Sequence, residues 1–180
     1  MPKSVPIMDK DMSGTRLGAY KIIRLLGQGG AGSVYLAKNE ETGTLEALKM
    51  LASGLTDSDE ARERFEREIE NSRFLNHPNI VKFYGVGNEL GICFYTMEFC
   101  KGGSARDLLA QQGGRLPETL AQSVIMQVLD GLDYAHNAEI PHVKMKDGSW
   151  GSGRGLVHRD IKPENILLKE KFEVRHPPSG

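Results

Sequence analysis

The sequence predicts an α+β chain of two lobes, a β-rich one followed by a helical one. Three observations carry this. Between Tyr20 and Glu98, short β-rich runs alternate with turn clusters of Gly, Asn and Thr. A single amphipathic stretch, residues 58–76, interrupts those runs, with charges of both signs around an apolar stripe. After Lys101-Gly102-Gly103 the period changes. Ala121, Ile125, Val128, Leu132 and Ala135 alternate spacings of four and three, which predicts a helix over 118–136 with one continuous buried face.

In chain order, residues 1–17 read as a flexible tail with two prolines, scattered charge and no periodicity. YKIIRLL is a strand, GQGGAG a glycine turn, and SVYLAK a second strand with apolar alternation at Val34 and Leu36. NEETG is turn chemistry, and TLEALKML follows as a third strand. His77-Pro78-Asn79 stops the helix 58–76, and IVKFYGV and ICFYTME complete a five-stranded antiparallel sheet. Ser104 and Asp107 are spaced as a capping box for a short helix, DLLAQ. The expected divisions are a first lobe over 18–98, a partial second lobe over 99–168 and a divergent tail over 169–180.

Composition narrows the function classes. With 180 residues, 39% hydrophobic side chains and 21 glycines, the chain can build a packed core. A net charge of −1 leaves no basic excess to displace counterions, so a nucleic-acid partner is not expected. Two cysteines, Cys93 and Cys100, cannot make a disulfide scaffold or a four-ligand zinc site, and the five histidines lack ligand spacing. Pro6 and Asp9 break the only apolar stretch near the N-terminus, which excludes a secretory h-region. No apolar run approaches the roughly 20 residues of a membrane span. A soluble, cytoplasmic chain with no membrane segment is the expectation.

Three elements carry chemistry. Gly27-Gln28-Gly29-Gly30-Ala31-Gly32-Ser33-Val34 is a G-x-G-x-x-G-x-V motif, in which glycines let backbone N–H groups approach phosphate oxygens. By itself it fits a plain Gly-rich hairpin equally well. The β-rich SVYLAK that follows excludes a Rossmann turn, which needs a helix there. Lys49 lies in a strand beside Ala47, Leu48 and Leu51 and could simply point to solvent. On the next helix, however, Glu68 falls in the sector of Ala61, Phe65, Ile69, Ser72 and Leu75, away from Glu63, Glu66 and Glu70. A core-facing carboxylate needs a cation, and Lys49 is the natural one.

The third element is His158-Arg159-Asp160-Ile161-Lys162-Pro163-Glu164-Asn165. With it, the sequence over roughly 18–168 resembles a eukaryotic-type Ser/Thr protein kinase domain, with details such as LNHPNIVKFYGVG closer to bacterial members. The resemblance implies the two-lobed kinase fold, ATP and Mg2+ as cofactors, and a protein substrate bearing Ser or Thr. It implies that the segment Gly27–Val34, including Gln28, Gly29, Gly30, Ala31, Gly32 and Ser33, covers the phosphates, with Leu26, Val34 and Ala47 over the adenine. Lys49 would hold the α- and β-phosphates and pair with Glu68. Met97 matches the gatekeeper, the backbone of Glu98 and Cys100 the adenine edge, and Leu167 the floor beneath the base. Asp160 would accept the proton of the substrate hydroxyl, Lys162 would neutralise the moving phosphoryl, and Asn165 would ligate Mg2+. His158 reads as a packing residue and Cys100 as a hinge residue of no special reactivity.

Two departures stand out. Residues 137–155, NAEIPHVKMKDGSWGSGRG, exceed the family's short turn and have hairpin grammar around Asp147-Gly148. A solvent-exposed decoration away from the nucleotide is the expectation. After Asp160 there is no further Asp, and Gly180 is the only Gly, so the family's metal-binding Asp-Phe-Gly is missing, as is its activation segment. The chain therefore reads as a kinase domain cut short, with a catalytically dead nucleotide-binding or interaction module as the alternative. Glu170 and Glu173 lie too early to replace the missing Asp. The 180-residue polypeptide is accordingly expected to bind ATP weakly and transfer little phosphoryl. A phosphotransfer assay with Mg-ATP checks this, and robust Asp160-dependent turnover would contradict it.

Overall fold

Strand alternation and turn chemistry build one antiparallel sheet from β1 (Arg16–Leu17), β2 (Tyr20–Gly29), β3 (Gly32–Asn39), β4 (Leu45–Leu51), β5 (Phe83–Glu89) and β6 (Ile92–Glu98). Their order is β1-β2-β3-β4-β6-β5. The structure is a computed structural model that describes residues 11–29, 32–51, 69, 73–89, 91–144 and 150–170, with backbone alone at 141–144 and 150.

Two expectations about the sheet need correction. Six strands are present among the described residues rather than five, because β1 adds a two-residue ladder to β2, Arg16 opposite Lys21 and Leu17 opposite Tyr20. Two residues are too few to show alternation, yet Leu17 is fully buried and Met12 packs on the same cluster, so part of the expected tail belongs to the core. β5 also begins at Phe83 rather than Ile80, since the Ile80 N–H donates to His77 O in a turn.

Successive side chains point to opposite faces of a sheet. One face carries Tyr35, Ala37, Leu48, Met50 and Phe94, which join Leu17 and Ile22 as the core cluster. Tyr20 closes it, its ring edge-on to Phe94 at 5.7 Å. The other face is left for Val34, Leu36, Ala47, Lys49, Tyr95 and Met97. Of the predicted helix 58–76, Ile69 and Arg73 are helical and the chain has left the helix by Leu75; the rest lies outside the described residues.

By packing, the chain divides into two units. One holds the sheet together with Ile140–Gly153; the other holds His77–Ile80, Cys100–Glu139 and the residues from Arg154 on. The second unit contains α1 (Ala105–Gln111) and α2 (Glu118–Asn137). The capping box forms as read: Ser104 Oγ accepts from the Asp107 N–H at 3.2 Å, and the Ser104 N–H donates to Asp107 Oδ2 at 2.8 Å.

The predicted buried face of α2 is rotated. Val124, Gly131 and Ala135 are buried, whereas Ile125 is 51% exposed, beside Met126 and Leu129. The cause is the segment 77–80. Gly131 has no Cβ, and one added there would stand 3.1 Å from Asn79 O, so the backbone seats on that glycine. Asn79 Nδ2 donates to Gln127 Oε1 at 3.3 Å, and the His77 ring stacks on Tyr134 at 5.0 Å.

After α2 comes a two-stranded hairpin, β7 (Glu139–Lys144) and β8 (Trp150–Arg154); the Asp147-Gly148 turn lies outside the described residues. Its root is tied firmly. The Gly155 N–H donates to Ala138 O and the Leu156 N–H to Ala135 O, both at 2.9 Å, while Arg154 reaches Asn137 Oδ1 at 3.3 Å. Gly155 has φ +87°, and a Cβ there would lie 2.6 Å from His136 O. We therefore expect Gly155→Ala to lower stability by about 1–3 kcal/mol, since it combines a strained backbone with a backbone clash. Thermal unfolding measures it, and an unchanged melting temperature would refute the account of the root.

Candidate active site

On the sheet, strand register assembles two adjacent cross-strand rows. Val34, Lys49 and Tyr95 form one, and Leu36, Ala47 and Met97 form the other. Alternation puts Val34, Ala47, Lys49 and Met97 on the same face, opposite the core cluster. The Lys49 ammonium lies over the Tyr95 ring, 5.5 Å from its centroid. Glu68, the partner expected for Lys49, lies outside the described residues.

In the glycine hairpin, Gly27 pairs with Val34, Gln28 with Ser33 and Gly29 with Gly32; the tip, Gly30 and Ala31, lies outside the described residues. A Cβ placed on Gly27 or Gly29 would meet nothing within 4 Å, so the backbone is open at these two positions. Leu26 sits in the register break between Leu25 and Gly27 and is 36% exposed. The Glu98 N–H donates to Lys82 O at 2.8 Å. Cys100, half-buried, belongs to the second unit.

The second unit builds its chemistry on a short backbone pairing. Lys101 N–H donates to Lys169 O, Gly102 N–H to Leu168 O, Leu168 N–H to Gly103 O and Ala105 N–H to Ile166 O, at 2.8–3.1 Å. A Cβ on Gly102 would fall 2.2 Å from Glu170 O, so this approach requires glycine. The pairing sets Leu167 opposite Ser104. It leads back into a 3-10 turn, Pro163–Asn165, which Arg106 of α1 grips through Glu164 at 3.0 Å.

In that turn Asn165 Nδ2 donates to Asp160 O and to Asp160 Oδ2, each at 2.8 Å. Lys162 Nζ is 2.9 Å from the same Oδ2. His158 is exposed rather than packed in a core, and its Nδ1 accepts the Asp160 N–H at 3.3 Å. Arg159 has φ 63°, the one non-glycine with positive φ among the described residues. Such strain costs of order 1–3 kcal/mol and persists only where neighbours hold it. Here the neighbours on both sides are hydrogen-bonded within the loop.

This geometry distinguishes the two Asp160 oxygens. Oδ2 is occupied twice, while Oδ1 has no hydrogen-bond partner among the described residues. Asn165 spends its N–H donors on Asp160, so its carbonyl oxygen is free to face outward. The Asn165 amide oxygen is a hard ligand of the kind Mg2+ takes, but it is a single ligand, and Mg2+ is usually held through one or two carboxylates together with phosphate oxygens and water. No cluster of three or more acidic, His or Cys side chains suited to a metal occurs among the described residues.

Sheet, strand lysine and Asp-Lys-Asn loop are those of a protein kinase. The family profile "Protein kinase domain" matches residues 20–148, and the chain belongs to this family. It is similar to serine/threonine-protein kinase PknJ of Mycobacterium tuberculosis, at 38% identity over 156 residues, 87% of this chain. Over 174 residues, 97% of the chain, it is 35% identical to sucrose non-fermenting protein kinase 1 of Fusarium virguliforme. The chain spans only 23% and 22% of those two relatives. The crystal structure of the M. tuberculosis PknI kinase domain superposes with a TM-score of 0.66 at 30% identity, over 86% of this chain and 56% of that one. Protein kinases as a family use ATP with Mg2+. Among the described residues no helix is long and apolar enough to cross a membrane.

Hydrogen bonding from Lys162, then from Asn165, holds the Asp160 carboxyl below the ordinary Asp range, and the same contact raises Lys162. A lowered acid pKa means the loop's bonds are complete above the ordinary Asp value and are lost as pH falls through the lowered one. We expect Asp160 to titrate below an ordinary Asp in a carboxyl 13C NMR titration. Lys162→Met should move it up towards the ordinary value; an unmoved titration would contradict the pairing.

Proposed function

We propose that this chain is the ATP-binding and catalytic-loop part of a serine/threonine protein kinase. The observation that carries the reading is the Asp160–Lys162–Asn165 cluster, three family-matched side chains joined by direct hydrogen bonds. ATP with Mg2+ supplies the phosphoryl group and the cation that neutralises its charge.

The chain's own residues would position and orient. Gly27 and Gly29 would lay open backbone over the phosphates, and Lys49 would reach the α- and β-phosphates from the same sheet face that Val34, Ala47 and Met97 offer to the base. Asn165 presents its carbonyl oxygen to the cation. Asp160 accepts the Ser or Thr hydroxyl through Oδ1, because Oδ2 is already bonded. A carboxylate held below its ordinary range is a weak base at neutral pH. Its part would therefore be to orient the hydroxyl and to take its proton as the new O–P bond forms and the bond from the γ-phosphorus to the bridging oxygen breaks, that oxygen leaving with ADP. Lys162, bonded to Oδ2, stands beside the oxygen that attacks and stabilises negative charge building on the phosphoryl.

The test joins the chain to a family-type C-terminal half and follows phosphate transfer from Mg-ATP to a Ser/Thr peptide. Asp160→Asn should lower turnover about 100- to 10,000-fold while leaving ATP affinity within about twofold. Undiminished turnover in that variant would overturn the proposal.

A further inference from the structure

We propose that Tyr95 is a positioning residue for Lys49, its ring holding the ammonium on the phosphate-facing side of the sheet. Its consequence for nucleotide binding rests on the kinase reading above; the contact itself does not.

Lys49 has one residue directly opposite on each neighbouring strand, Val34 on β3 and Tyr95 on β6. Directly opposed side chains on one face of an antiparallel pair are the closest neighbours a sheet offers. Val34 presents only methyl groups. Tyr95 presents an aromatic face, and the ammonium lies 5.5 Å from its centroid, inside the range of a cation–π contact. The ring is itself braced, since Phe83 on β5 packs against it at 5.9 Å with the planes tilted by 33°. Phe83 in turn is set opposite Met97, so the brace belongs to the same sheet face.

A lysine loses more rotamer freedom on being fixed than most side chains. A ring that already confines Lys49 leaves less of that loss to occur when phosphate arrives. The ring covers one side of the ammonium, which carries three N–H donors, so donors remain for a phosphate or a carboxylate. Tyr95 therefore prepares Lys49 and does not compete for it. The feature that matters is the ring and not the hydroxyl.

Three proteins separate these ideas: the unaltered chain, Tyr95→Phe and Tyr95→Leu, with Tyr95→Met as a second ring-free variant should the leucine protein fail to fold. In 1H–13C NMR the Lys49 ε-methylene should be shifted upfield by the ring in the unaltered chain and in Tyr95→Phe. It should return to an ordinary lysine position in the ring-free variant. ATP affinity should fall about two- to fivefold in the ring-free variant and be restored in Tyr95→Phe, with adenosine affinity alike in all. The adenosine control separates a lost lysine position from a disturbed base site. An ε-methylene shift that survives loss of the ring, or ATP affinity that is equal or tighter without it, would overturn the proposal. Should the chain bind neither ATP nor adenosine, the nucleotide-binding reading fails and the ε-methylene shift still decides the contact.

Discussion

The chemistry of the second unit depends on one close backbone approach, residues 101–105 against 166–169, which only a glycine at 102 permits. From it everything nearby follows in sequence. Ser104 caps α1, α1 places Arg106 on Glu164, and Glu164 sits within the turn that aims Asn165 at Asp160. Asp160 and Lys162 are largely exposed, at 60% and 48% of their side chains, so no core packing orients them. Short hydrogen bonds within eight residues, anchored on a backbone ladder, have to supply the rigidity that burial supplies elsewhere.

The sheet solves the same problem differently. There the ladder itself is the positioning device: once Gly27 pairs with Val34 and Val34 with Lys49, the glycine hairpin and the lysine are bound to one register. A slip by one residue would move Lys49 to the core face. The buried cluster of Tyr35, Leu48, Met50 and Phe94 prevents this, because the same slip would carry those side chains out of the core. Core and site are thus two faces of one register.

Much of this was legible in the chain of letters where partners lie close in sequence. The Ser104–Asp107 capping box, the NEETG turn and the hairpin within 137–155 are contiguous, and each appears where its residues predict it. The compactness of the Asp160 loop has the same origin, since His158 through Asn165 is a single short run whose residues bond to one another. What misled the reading was distance. Ile125 fits a helical stripe, but α2 is covered where Asn79 seats on Gly131, about fifty residues away in sequence. Arg16-Leu17 carries too little pattern to announce a strand, and becomes one because Leu17 completes a core made by strands that come later.

Tyr95 marks the boundary between the two kinds of information. Its alternation with Met97 already assigns both to one sheet face, yet nothing in the sequence says which residue stands opposite it. By itself the sequence determined the order of elements, the turns, the caps and the chemical identity of the Asp160 loop, because propensity and short-range hydrogen bonding act between neighbours. Only the tertiary structure decided that Lys49 faces an aromatic ring, that Asp160 keeps one oxygen without a partner among the described residues, and which side of α2 is covered. Those depend on register and on long-range packing, which bring together residues that local preference cannot relate.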